Sequence, residues 1–196
     1  MRYAGLIKDD FTAAPGVCVS VFVQGCPHRC PGCFNPETWD FEGGKDTSFE
    51  KILNAIDENP LLAGVTFSGG EPTSQAKELI PLIDRLHEEG INVCVDTNGG
   101  VWNPAVEELF KKVDLALLDI KQINPARHES LTGRNNSTTL ATAKWLEENG
   151  KPFCGYECGY DASGNESDNQ PFANVSNHVN HSITQGSCHS FAETAF

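Results

Sequence analysis

Apolar positions along the chain fall in short β-branched blocks that alternate with stretches of helical spacing. Residues 17–23, Val-Cys-Val-Ser-Val-Phe-Val, predict a buried strand that runs directly into a cysteine-rich loop. Thr47-x-x-Glu50 has the form of a capping box, after which Phe49, Ile52, Leu53 and Ile56 recur on one helix face. Residues 64–67, Gly-Val-Thr-Phe, read as a second strand ending in Ser68-Gly69-Gly70-Glu71-Pro72. A helix over residues 75–89 follows, with Leu79, Ile80, Ile83 and Leu86 on one face and Gly90 as its stop. Pro81 breaks that pattern and predicts a kink or a later helix start. Residues 91–95 make a third strand that meets Asp96-Thr97-Asn98-Gly99, and Asn103-Pro104 opens a short helix to Lys112. Residues 113–118 form a fourth strand closing on Asp119-Ile120-Lys121, and a last helix spans residues 138–149 up to Gly150.

Strand, loop and helix in repetition predict a parallel α/β sheet, whose chemistry gathers at the C-terminal ends of the strands. Each motif with chemical character falls just after a strand. Beyond Phe153 the pattern stops: residues 154–196 are rich in Asn, Ser, Gly, His and Gln without a period. So lean a composition does not offset the entropy of ordering. The expected organisation is one α/β domain over residues 1–153 and an irregular polar tail, disordered or divergent, over 154–196. His178, His181, Cys188 and His189 leave a metal-ordered tail as the alternative.

Composition narrows the partners. Twenty-seven acidic against fourteen basic side chains give a net charge of −13, which argues against broad binding to nucleic acid. No apolar run approaches the roughly 18 residues of a membrane span. The first ten residues lack the apolar core of an export signal. The eight cysteines therefore read as cytoplasmic metal chemistry rather than a disulfide framework. Cys18 and Cys94 lie in apolar runs and are expected to be small buried hydrophobes. Asn174-Val175-Ser176 matches a glycosylation acceptor, which without an export signal reads as chance.

The most specific stretch is Gly25-Cys26-Pro27-His28-Arg29-Cys30-Pro31-Gly32-Cys33-Phe34-Asn35. Pro27, Pro31 and Gly32 keep it out of helix and sheet, so that Cys26, Cys30 and Cys33 converge. Thiolates suit iron–sulfur clusters, zinc or copper(I). Three ligands are one short of a closed structural zinc site, whereas on a four-iron cube they leave one iron open. A zinc site completed from elsewhere stays as the alternative. The segment 35–45, with Trp39 and Phe41, is expected to wrap this loop. Gly69 and Gly70 would let a ligand approach exposed backbone, with Glu71 beside it. Asp96, Asp119 and Lys121 place two carboxylates and an ammonium on the same sheet edge, suited to hydroxyls, a carboxylate or a hard cation.

CxxxCxxC followed one strand later by GGE resembles the radical S-adenosylmethionine superfamily. Residues 1–45, with Pro15-Gly16-Val17 and Asn35-Pro36-Glu37-Thr38-Trp39-Asp40-Phe41, look most like the activases of anaerobic ribonucleotide reductase. Residues 64–153, with VTFSGGEPTSQ, DTNGG, LLDIKQ and HESLTG, look more like the pyruvate formate-lyase activating type. The resemblance implies a partial, open parallel β/α barrel of the radical S-adenosylmethionine type. It also implies a 4Fe–4S cluster on Cys26, Cys30 and Cys33, and S-adenosylmethionine held at Gly69, Gly70 and Glu71. Asp96, Thr97 and Asp119 would build a monovalent-cation and cofactor site, and Lys121 would touch the cofactor. The implied reaction is reductive cleavage of S-adenosylmethionine to raise a glycyl radical on a partner enzyme. A reduced flavodoxin- or ferredoxin-type protein would donate the electron. A small-molecule substrate and a non-catalytic iron–sulfur or zinc protein are the competing readings. The tail departs from the family after Lys151-Pro152-Phe153, where the pyruvate formate-lyase type continues with further strands.

Overall fold

The apolar blocks become strands of a single sheet in the computed structural model, which describes residues 1–14, 16–57 and 61–157. In chain order the strands are β1 (Arg2–Asp10), β2 (Val17–Val23), β3 (Lys45–Asp46), β4 (Leu62–Gly69), β5 (Asn92–Thr97), β6 (Leu115–Ile120) and β7 (Phe153–Glu157). Across the sheet they run β3-β1-β2-β4-β5-β6-β7. From β2 to β7 each neighbouring pair is parallel. Strand β1 is antiparallel to both β2 and β3, which adds an edge the apolar pattern did not announce.

Among the described residues five α-helices connect the strands: α1 (Phe49–Asp57), α2 (Ala76–Glu88), α3 (Pro104–Lys112), α4 (Pro125–Thr132) and α5 (Ser137–Glu148). Alternate strand residues Val19, Val21, Val65, Phe67, Val93 and Val95 join one core with Leu79, Leu82, Ile83 and Leu86 of α2 and Leu109 and Phe110 of α3. Each such side chain, fully removed from water, contributes about 1.5–3 kcal/mol before the cost of ordering it. Leu82 rather than Ile80 completes the buried face of α2, Ile80 being only partly covered. The helix starts at Ala76 and runs through Pro81, so the later start does not occur. Pro81 is exposed, where water can satisfy the carbonyl one turn back that loses its donor. Asn103 caps α3 as expected, its Oδ1 accepting from the amides of Ala105 and Val106.

Three boundaries differ from expectation. The fourth expected strand begins at Leu115, because Val113 ends α3 and the Asp114 carboxylate accepts from the Val93 amide at 2.7 Å. Residues 125–132 form α4, which lacked a readable face: its buried positions include His128 and Thr132. The sheet does not stop at Phe153. β7 continues to Glu157 in register with β6, so the first four residues of the expected tail are strand. The remaining tail, residues 158–196 with His178, His181, Cys188, His189 and Asn174, lies outside the described residues.

Candidate iron–sulfur site

The cysteine loop leaves β2 and is gripped from two sides. On one side the amides of Gly25 and Cys26 donate to the carbonyls of Thr38 (2.7 Å) and Trp39 (3.2 Å). Gln24 Nε2 donates to the carbonyls of Glu37 and Asp40. Gly25 has φ +94°, and a Cβ there would strike the Phe41 ring, so the loop needs glycine for both conformation and space. The expected wrap by residues 35–45 is therefore present. On the other side the Arg29 amide donates to the Thr132 carbonyl at 3.0 Å, at the end of α4. The Arg29 guanidinium turns back onto the Cys26 and His28 carbonyls and stacks over Trp39, 5.5 Å from the ring centre.

Cys26 is buried and Cys30 and Cys33 are half-buried, all as free thiols. All three line one cavity of about 250 Å³. Among the described residues no three His, Cys, Asp or Glu side chains converge tightly enough for one metal ion. Three thiols that line one cavity are a donor set that fits an iron–sulfur cluster. Burial, then the nearby Glu71 charge, pushes the Cys26 thiol up to about 12, and burial raises Cys30 as well. Loading a metal on these sulfurs must release protons.

Every residue expected at the site lines this cavity except Glu71. Glu71 is fully buried behind it. Its Oε1 accepts from the Thr73 amide (3.0 Å) and from the hydroxyls of Thr73 and Thr97 (2.6 Å each), and its Oε2 accepts from the Asn98 amide at 2.8 Å. Burial raises its carboxyl above the ordinary range, against the pull of those four bonds. The carboxylate thus ties the end of β4 to the end of β5.

The two glycines also differ from expectation. The Gly70 and Glu71 amides donate to the carbonyls of Val23 and Gly25, 2.8 Å each, so they extend the pairing of β4 with β2 and are not free for a ligand. A Cβ on Gly70 would stand 2.6 Å from the Gly25 carbonyl oxygen, and one on Gly69 2.7 Å from the Phe22 Cα. Glycine is required here first by backbone packing against the cysteine loop. Asp96 accepts from the Ser68 hydroxyl at 2.7 Å, and Lys121 is ion-paired with Asp119.

Sequence reasoning missed three residues at the site. Asn98 is buried against Cys26, its Nδ2 donating to the sulfur at 3.7 Å. His28 and His128 are buried with ring centres 5.6 Å apart, edge to face. Burial, aided by the charges of His128, Lys121 and Arg134, lowers His28 to about 3, so it is neutral. His128 sits near the Arg134 carbonyl, 2.8 Å from its Nδ1. The position of His28 inside the cysteine motif was a readable signal, and His128 opens the HESLTG stretch, whose pattern alone did not place it beside the cysteine loop.

A parallel β/α sheet that collects three thiols, two glycines and a carboxylate–lysine pair at its strand ends defines an open-barrel iron–sulfur protein. Residues 13–139 match the family model described as a 4Fe-4S single cluster domain, and the chain belongs to that family. It is 40% identical over 139 residues to pyruvate formate-lyase 1-activating enzyme of Escherichia coli K12, covering 67% of this chain and 56% of that protein. It is 39% identical over 150 residues to pyruvate formate-lyase-activating enzyme of Streptococcus mutans, covering 70% of this chain and 57% of that protein. The chain thus spans little more than half the length of these relatives. In fold it is similar to Streptococcus suis SuiB bound to S-adenosylmethionine, with TM-score 0.56 and 21% identity over 67% of this chain and 31% of that one. Archaeal TYW1 is similar as well, with TM-score 0.55 and 16% identity over 90% of this chain and 70% of that one. No helix among the described residues is long and apolar enough to cross a membrane.

Proposed function

We propose that the chain is a radical S-adenosylmethionine activase, which raises a glycyl radical on a partner enzyme of the pyruvate formate-lyase or anaerobic ribonucleotide reductase type. The observation that carries this reading is the convergence of three free thiols with the ends of β4, β5 and β6 around one cavity. The names of the relatives at about 40% identity support the substrate class. A 4Fe–4S cluster would supply the electron, and S-adenosylmethionine the radical chemistry, that together remove a hydrogen from a glycine Cα.

In this reading Cys26, Cys30 and Cys33 hold the cluster and leave one position open to the cofactor. Residues 35–45 and the end of α4 hold the loop rigid and screen it from water. Gly69 and Gly70 form the floor on which the methionine portion rests, and Glu71 fixes that floor from behind. Asp96, Thr97 and Asp119 supply oxygen ligands for a monovalent cation beside the cofactor, with Lys121 facing it. A reduced flavodoxin- or ferredoxin-type protein delivers the electron. Residues 1–153, with β7 carried to Glu157, make up this unit.

The test is anaerobic reconstitution with iron and sulfide, followed by addition of S-adenosylmethionine and a reductant. A cluster whose visible and paramagnetic spectra change with S-adenosylmethionine, and which yields 5′-deoxyadenosine, is the expected result. A cluster indifferent to S-adenosylmethionine would make the protein a carrier or scaffold.

A further inference from the structure

Cys26 differs from the other two cysteines in having an amide side chain against its sulfur. Asn98 follows β5, is 7% exposed, and is fixed at three of its atoms. Its amide N–H donates to Glu71 Oε2 at 2.8 Å, and its carbonyl accepts from the Thr139 hydroxyl at 2.9 Å. Its side-chain Oδ1 accepts from the Gly100 amide at 2.8 Å. That last bond decides which way the amide points, because a flipped group would set N–H against N–H. The Nδ2 is thereby left facing Cys26 Sγ at 3.7 Å, within the reach of a hydrogen bond to sulfur.

Hydrogen bonds to a ligating sulfur draw charge from it and stabilise the more negative, reduced state of an iron–sulfur centre. We propose that Asn98 sets the reduction potential of the cluster by donating to Cys26, holding the centre easier to reduce than its thiolates alone would. Glu71, Thr139 and Gly100 position Asn98 for that task, which gives the buried carboxylate a role without contact with the cofactor. The inference rests on the cluster reading above.

The experiment is potentiometry on the iron-loaded full chain, followed by electron paramagnetic resonance, comparing wild type with Asn98→Asp and Asn98→Leu. Asp keeps the acceptor for Gly100 and removes the donor; Leu removes both without adding charge. Asn98→Ala takes the place of Leu if Leu does not load iron. The expected result is wild-type iron content in the variants with potentials shifted negative. The shift should be on the order of tenfold in the oxidised-to-reduced ratio at a fixed poise, about 59 mV for one electron. A purely structural role for Asn98 would alter iron content or melting temperature and leave the potential of the loaded fraction unmoved. A fully loaded neutral variant at the wild-type potential overturns the proposal, even where Asp lowers it by charge. A wild-type chain that takes up no iron overturns the cluster reading itself and this inference with it, so the two failures are distinguishable.

Discussion

At the scale of single residues, the cysteines divide by environment. Cys18 and Cys94 are fully buried in β2 and β5, away from the cavity, while Cys26, Cys30 and Cys33 line it. Alanine at Cys26, Cys30 or Cys33 should abolish iron binding on reconstitution. Alanine at Cys18 or Cys94 should leave iron near the wild-type level and cost stability on the order of 1 kcal/mol, by the small void left. Iron analysis of the five proteins checks both. Glu71 supports a second prediction, with a defined sign. Its folded carboxyl lies above its ordinary value of 4.5, so its stabilising contribution is complete below that value and is lost as pH rises through the raised folded value. Glu71→Gln removes this dependence. Wild type should lose ground against Glu71→Gln as pH climbs from 4.5, in denaturant titrations at several pH values. A constant difference would mean that the carboxyl does not titrate in that range. Glu71→Ala should instead destabilise at every pH by roughly 2–5 kcal/mol, since buried donors of Thr73, Thr97 and Asn98 lose their acceptor.

At the scale of elements, Gly69 at the end of β4 and Gly70 just after it both line the cavity and pack against the cysteine loop. Two glycines beside a reactive loop suggest room for a ligand, whereas a Cβ on Gly70 would press on the Gly25 carbonyl. Gly70→Val should therefore push the cysteine loop off the end of β4 and lower the melting temperature. Iron should fall along with S-adenosylmethionine affinity, rather than affinity falling alone. Iron content against melting temperature separates these outcomes. Strands β2, β4, β5 and β6 were legible because they are buried on both faces and read as near-continuous apolar runs. Strand β1 was not, since much of it is half-exposed and Gly5 interrupts it. Strand β7 hides behind Cys154 and Gly155, neither of them a strand former. That Cys26, Cys30 and Cys33 would come together was legible from spacing alone, because a CxxxCxxC loop needs no tertiary information, and all three line the cavity. The positions of Asn98 and His128 were not, since they depend on where β5 and α4 end relative to the loop.

At the scale of the whole molecule, the question is how much of the chain the site requires. The match to longer relatives leaves the C-terminal stretch unaligned in function, and its composition predicts little core of its own. Strand β7 is different in kind. It pairs with β6 over five positions, from Ala116 opposite Phe153 to Ile120 opposite Glu157, and Phe153 packs on the core. Strand β6 carries Asp119 to the cavity, so β7 supports one wall of the site from outside. A chain ending at Glu157 should retain iron, its visible spectrum and its melting temperature. A chain ending at Pro152 should lose about 3 kcal/mol or more, from Phe153 burial and several strand hydrogen bonds at about 1 kcal/mol each. It should also bleach faster in traces of oxygen, because β6 becomes a frayed edge beside the cluster. Comparing the two truncations with the full chain isolates each segment. Equal bleaching rates for the full chain and the chain ending at Glu157 place the functional boundary at β7. Faster bleaching on removal of residues 158–196 alone would instead make that stretch part of the wall that screens the cluster.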